Sequence, residues 1–308
     1  MTTQLSDMAG RSNTTPRARM GKATAWALIV LLLLATLFPF YWTIRTALST
    51  NPALFSGDQG LLPPEFTGVN FKRILGLASE EEIQAASGRQ NSASFDYLLS
   101  LRNSIIIATT IAVGQVFFSA MAAYAFARLR FAGRDKIFFV YLSGLMIPPI
   151  FILIPNLILM RDLGWINTFQ GVVAPFALMT PFAVFFLRQF FLSINRSLEE
   201  AALIDGASHF RIFRSVILPI ASPQMITLGI LTYVTAWNEF LWPLVIARDE
   251  SVQPLTVALG VFTTQQPGSS PDWSGLMTGT LMAALPVIII YLIFGKRIVD
   301  SIRFSGIK

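Results

Sequence analysis

Six stretches of this chain run for 22 to 25 positions without a charged residue: 23–44, 103–127, 137–160, 163–187, 215–238 and 273–295. At about 1.5 Å of rise per residue, each makes a helix of roughly 33 to 37 Å, enough to cross a hydrocarbon core of about 30 Å with some tilt. In lipid the backbone must satisfy its own polar groups, so the fold class this predicts is an all-α membrane protein with six transmembrane helices. The composition agrees, with 54% of the 308 residues hydrophobic and 13% charged. A seventh uncharged run, 251–271, carries glutamines, serines and three prolines and reads as a loop.

Lysine and arginine near span ends favour the cytoplasmic side. With both termini cytoplasmic, the inside segments hold 16 of the 23 basic residues, including Arg128, Arg130, Arg134, Lys136, Arg188, Arg196, Arg211 and Arg214. The net charge of +6 then has a membrane explanation, and no nucleic-acid partner is needed. The expected layout is a disordered tail over 1–22, a first span over 23–45, an outside segment over 46–100, a five-helix core over 101–299 and a tail over 300–308. The first span reads as a retained anchor, because its apolar run is long for a signal peptide and "LFPFYWTIRTALS" is a poor cleavage site. The outside segment is too short and polar for its own domain; one or two short helices are expected there, for instance around Phe71 to Leu77.

Several chemistries lack their parts. No G-x-x-x-x-G-K-[ST] occurs, so no P-loop holds a nucleotide. One histidine and no cysteine leave zinc sites and catalytic triads unsupplied. The spans hold no Asp, Lys, Arg or His, and a single Glu near one end, where ion-coupled carriers place ionisable relays. Prolines in or beside several spans fit kinked helices around a cavity, and equally an irregular bundle. Ser119, Ala120, Ala122 and Ala123 suit close helix contact.

The inside loop SLEEAALIDGASHFRIFRSVILP, Ser197 to Pro219, is the most polar interruption of the core. Ser197 and Glu200 have capping-box spacing, so a short helix should begin at Ser197, run to Asp205 and end on a left-handed Gly206. A second helix should resume near Ser208 and lead into the fifth span at Pro219. Physically this is a helix, a glycine turn and a helix; from the residues alone it is also an ordinary solvated hairpin. The other marked stretch is WNEFLWPL, Trp237 to Leu244. Indole, amide and carboxylate together suit a sugar. They also suit an aromatic belt with a water-exposed glutamate.

The stretch "EEAALIDGASHFRIFRSVILPIASP" resembles the signature loop of the permease subunits of ABC importers: Glu200-Ala201-Ala202, then Gly206, then Val216-Ile217-Leu218-Pro219, with Val216 where isoleucine is usual. The stretches "LMIPPIFILIPNLILMRDLGWINT", "PFAVFFLRQFFLSI", "TAWNEFLWPLVIA" and "LPPEFTGVNFKRIL" resemble the carbohydrate-uptake class, of the smaller permease subunit type of the maltose transporter. Departures are a longer outside insertion, about Gly76 to Ser94, and a loosely matching tail, SIRFSGIK. The resemblance covers about residues 24 to 308.

The resemblance implies a type I importer permease fold in the bacterial inner membrane, importing a sugar, oligosaccharide or polyol. The implied partners are a second permease subunit, a cytoplasmic ATPase dimer and a solute-binding protein. This chain would hold no cofactor, with ATP and Mg on the ATPase. Within the coupling loop, 193–218, the ATPase-docking residues would be Glu199, Glu200, Ala201, Ala202, Asp205, Gly206, Ala207 and Arg211. The substrate pathway would include Trp237, Asn238 and Glu239, while His209 reads as a surface contact. The alternatives are an importer for a non-sugar solute and, in another class, a secondary carrier or channel.

Overall fold

In the computed structural model, residues 16–56, 60–89, 95–263 and 271–303 are described. They are helical, with one isolated bridge between Ser49 and Phe66 as the only β-pairing among them. Helix α1 spans Pro16–Ala47, so it begins inside the segment expected to be disordered, whose first fifteen residues lie outside the described residues. Three short helices follow on one end of the molecule: α2 (Asn51–Leu54), α3 (Val69–Ile74) and α4 (Glu80–Ser87). The long α5 (Tyr97–Arg128) comes next, then α6 (Arg134–Ser143), α7 (Pro149–Asp162), α8 (Phe169–Ala177) and α9 (Pro181–Ser193). The remainder is α10 (Ser197–Ile204), α11 (His209–Ile212), α12 (Leu218–Trp237), α13 (Leu241–Ile246), α14 (Leu255–Ala258) and α15 (Trp273–Arg303). Residues 304–308 of the expected tail lie outside the described residues.

Among the described residues, four helices are long and apolar enough to cross a membrane, rising to six if each of two bent pairs counts as one span. The first bent pair, Arg134–Met146 with Pro149–Asp162, turns by 98° at Ile147 and Pro148. Pro148 cannot continue α6, and it supplies the extended backbone from which α7 starts with Pro149 in its first turn. The second pair, α8 with α9, bends by 42°. There Thr180 accepts the amide of Ala183 and Pro181 opens the new helix, so a start signal is set in the middle of the uncharged run 163–187. That run also begins too early, because Leu163 to Asn167 form a turn and α8 starts only after the Thr168 cap.

Helix α5 is the centre of the packing, lying against α8, α9, α12 and α14. Its buried positions Ala108, Ala112, Ser119, Ala120, Ala123 and Ala127 are small and fall along one side of the helix, making a smooth stripe. Lipid offers no hydrophobic drive for helix association, so such a stripe holds its neighbours by close van der Waals approach. At one end it meets Ala183, Val184, Leu187 and Phe191 of α9, with Ala221 and Leu228 of α12. At the other end, Trp237, Leu255, Leu259, Phe262 and Met282 close around Ile74 and Tyr97.

The outside segment is better organised than its polarity suggests. Ser79 accepts from the Glu82 amide and the Glu82 carboxylate accepts from the Ser79 amide, a complete capping box that starts α4. Buried Asn70 donates to the carbonyls of Ala47 and Ser49, tying α3 to the end of α1. In the loop after α13, Asn103 of α5 donates to the carbonyls of Glu250 and Gln253, and Ser104 accepts from the amide of Leu255. That loop is pinned to α5 as far as α14, and a 3-10 turn, Leu259–Thr263, follows it. Helix α1 packs mainly along α15. Its residues Leu28 through Leu34 are all at least half exposed.

Candidate functional site

Among the described residues, a helix hairpin and a cleft between the long helices both combine polar residues with exposure. The hairpin is α10 with α11. Helix α10 does begin at Ser197, but the expected capping box is absent: Arg196 is the cap residue in a helical conformation, and the amide of Ser197 donates to Asn195 Oδ1. With that donor already satisfied by Asn195, Glu200 has no capping partner and points outward.

The other end follows the sequence. Gly206 has φ +77°, its amide donates to Leu203 and the amide of Ala207 donates to Ala202, which is a Schellman closure. Ser208 then caps α11 by accepting from the Arg211 amide. Phe213–Ile217 form a single π turn that carries α11 without a break into α12. The hairpin is therefore covalently and helically continuous with a long apolar helix.

Its side chains divide by direction. Glu200, Ala201, Asp205, Gly206, His209 and Arg211 are exposed. Ala202 and Ala207 turn inward and pack on the core around α5 and α9. Glu199 also turns inward, with 13% of its side chain exposed, and its carboxylate lies 2.8 Å from Nε of Arg128. Three outward apolar residues escaped the sequence reading: Leu203, Ile204 at 87% exposed, and Phe210. The signal was available, since bulky apolar groups at the tip of a polar hairpin mark a contact surface.

The cleft, of about 380 Å³, lies between α5, the α8–α9 bend and α12. Its walls are mainly apolar, with Gln115, Thr180, Thr232, Thr235 and Glu239 as its polar groups. Both helix breaks reach it, through Pro149 and Thr180. Interrupted helices at membrane depth are tolerated where they line a cavity. Gln115 Nε2 donates to Thr180 Oγ1 at 2.6 Å, which bridges α5 to the second break. Glu239 is anchored by accepting from the amide of Trp242 through Oε1.

The three adjacent pathway candidates separate. Glu239 faces the cleft. Trp237 is 4% exposed, stacks on Tyr233 and donates from Nε1 to the carbonyl of Ala283. No face of its indole is open to a sugar. Asn238 is exposed and donates back to the carbonyl of Val234. Trp242 is likewise internal, donating to Gly171 and Val172 of α8. Among the described residues, no three histidines or carboxylates stand together as a metal site.

Residues 115–304 match the family model described as the binding-protein-dependent transport system inner membrane component. The trehalose/maltose transport system permease protein MalG of Thermococcus litoralis is 29% identical over 91% of this chain and 94% of its own length. The arabinooligosaccharides transport system permease protein AraQ of Halalkalibacterium halodurans is 35% identical over 67% of this chain and 72% of its own. Among solved structures, a bacterial ABC transporter involved in the import of the acidic polysaccharide alginate contains a chain that aligns with a TM-score of 0.75 and 25% identity. The alignment covers 92% of this chain and 98% of that one.

Proposed function

Since the chain belongs to the family of inner membrane components of binding-protein-dependent transport systems, a multi-pass membrane family of transport subunits, we propose that it is one half of a two-subunit pore that imports a carbohydrate or polyol at the expense of ATP hydrolysed elsewhere. The observation that carries the reading is the α10–Gly206–α11 hairpin: an exposed, capped helix pair joined rigidly to α12. A cytoplasmic ATPase dimer would seat on Glu200, Ala201, Asp205, Gly206 and Arg211, with Leu203, Ile204 and Phe210 filling apolar hollows. Closure of that dimer would displace α12 as a lever, because packed helices switch between discrete arrangements instead of deforming smoothly. ATP and Mg would stay on the ATPase.

Solute would pass the cleft of Gln115, Thr180, Thr232, Thr235 and Glu239. These groups donate to and accept from hydroxyls, and the surrounding apolar wall suits the ring faces of a sugar. The named relatives handle polyhydroxylated solutes, which supports the same class here. We count each bent pair as one span, giving six, with both termini cytoplasmic, the side that the basic residues favour. The exposed α1 would then lie against lipid or the second pore subunit, and the outer cap of α2 to α4 would face a solute-binding protein.

The test is purification of the tagged chain at native expression in mild detergent, with identification of what accompanies it. Recovery of an ATPase and a second permease subunit supports the reading, and a co-purified binding protein can be screened for its sugar. Recovery of the chain alone, under conditions that keep a known importer intact, refutes it.

A further inference from the structure

The residue that ties the hairpin to the spans is Arg128, the last residue of α5. Its side chain is 3% exposed. Nη2 donates to the carbonyls of Phe191 at 2.5 Å and Ile194 at 2.6 Å at the end of α9, where the Phe191 carbonyl also accepts the Ile194 amide. Nε lies 2.8 Å from Glu199 Oε1 in the first turn of α10. One buried guanidinium therefore touches three elements: the helix that carries it, the end of α9, and the hairpin. One turn earlier, Arg188 of α9 donates to the carbonyl of Phe126, so α5 and α9 are cross-tied at this level twice.

The two adjacent glutamates thus have opposite tasks. Glu200 faces out. Glu199, one residue and about 100° away around the helix, holds α10 to the membrane core. A carboxylate and a guanidinium this far from water cannot separate cheaply, because each would be left as a buried lone charge. The fork of Arg128 is planar and fixed by two carbonyls, so it cannot follow Glu199 by simply swinging. Movement of α10 must either carry the ends of α5 and α9 with it or break the pair.

We propose that Arg128, through Glu199, is a positioning residue of coupling: the strut that passes displacement of the hairpin to α5 and α9, parallel to the direct path along α12. This rests on the hairpin being the ATPase-facing element. It adds a second route by which one contact moves three spans together.

The test uses the complete importer reconstituted in proteoliposomes, with solute uptake and ATP hydrolysis measured on the same vesicles and normalised to assembled complex. Glu199→Gln keeps the shape and removes the charge. We expect the solute imported per ATP to fall by about fivefold or more, the low end of a coupling between two sites. Arg128→Lys keeps the charge but forgoes the fork to the carbonyls, and its ratio should fall between that of Glu199→Gln and the unaltered chain. An unchanged ratio in Glu199→Gln overturns the proposal. So does a loss of assembled complex with a normal ratio in what remains, or no assembly in either variant, since both describe a folding contact only. If the unaltered complex itself shows no ATP-dependent uptake, the importer reading fails first, and the two failures are told apart.

Discussion

The guanidinium of Arg73 lies 2.5 Å from the carboxylate of Asp272, and the two side chains are 2% and 1% exposed. The other oxygen of Asp272 accepts from Ser274 Oγ and the Gly275 amide, so one carboxylate both caps α15 and holds α3. Removing Arg73 strands a buried charge, at a cost of roughly 3–5 kcal/mol. Arg73→Met should markedly lower the unfolding temperature of the detergent-purified protein, followed by tryptophan fluorescence. The neighbouring pair Lys72–Glu82 has side chains 58% and 39% exposed, and Lys72→Met should barely shift stability. Equal shifts for the two would refute this ranking.

At Gly206 the strain is purely conformational. No atom lies within 4 Å of an added Cβ, yet φ is +77°. A β-branched residue pays about 1–2 kcal/mol there, while asparagine tolerates the left-handed region better. Gly206→Val should abolish ATP-coupled uptake with membrane insertion intact, and Gly206→Asn should keep a substantial part of it. Normal uptake by the valine variant would sink the hairpin's role.

Gly114 has the opposite problem. A Cβ there would sit 2.6 Å from the carbonyl oxygen of Ala177, backbone that cannot yield without moving α8. Gly114→Ala should cost about 1–3 kcal/mol as overpacking. Gly229→Ala, whose Cβ would meet Val116 at an ordinary 3.7 Å, is the control and should be near neutral. Matching melting curves for the two variants would count against the close approach of α5 and α8.

Trp237 and Glu239 should separate kinetically. Trp237→Phe loses the hydrogen bond to Ala283, about 1 kcal/mol, and should lower stability while leaving the apparent KM for solute unchanged. Glu239→Gln keeps an acceptor for the Trp242 amide and removes the charge facing the cleft, so it should raise KM at little cost in stability. The reverse pattern would restore Trp237 as the contact.

The capping box of α4 has a pH signature. The backbone amide of Ser79, and then Lys72, hold the Glu82 carboxyl below the ordinary glutamate value. A depressed carboxylate contributes stability above the unfolded value, about 4.3, and loses it as pH falls through the lower folded value. Amide protection in α4, corrected for intrinsic exchange, should therefore be weaker at pH 3 than at pH 5. Equal protection at both would show that the box carries no charge-dependent stability.

The uncharged intervals located the long helices because charge at membrane depth is costly; 103–127 falls inside α5, and 273–295 inside α15. The same logic cannot see a bend made entirely of uncharged residues. Pro148, Pro149, Thr180 and Pro181 were the available signals, and they read correctly only as boundaries. Capping spacing misled at Ser197, where Asn195 intervenes, and went unused at Ser79, where it was met in full. WNE looked like one site because its residues are consecutive, but α12 ends at Trp237, and Asn238 and Glu239 lie on the turn that leaves it. Tertiary packing of Trp237 on α15 then decided which of them remained open.

The π turn at Phe213–Ile217 gives the hairpin a dependence on arithmetic. Such a turn holds one residue more than an α turn. Deleting one residue there would let the turn close as regular α with nearly the same total rotation, so the hairpin would keep its aim. Deleting one residue from the regular part of α12 would instead swing every position on its N-terminal side by about 100° around the helix axis. Comparative alignments should therefore tolerate a single-residue gap at Phe213–Ile217 far more readily than in the helix that follows it.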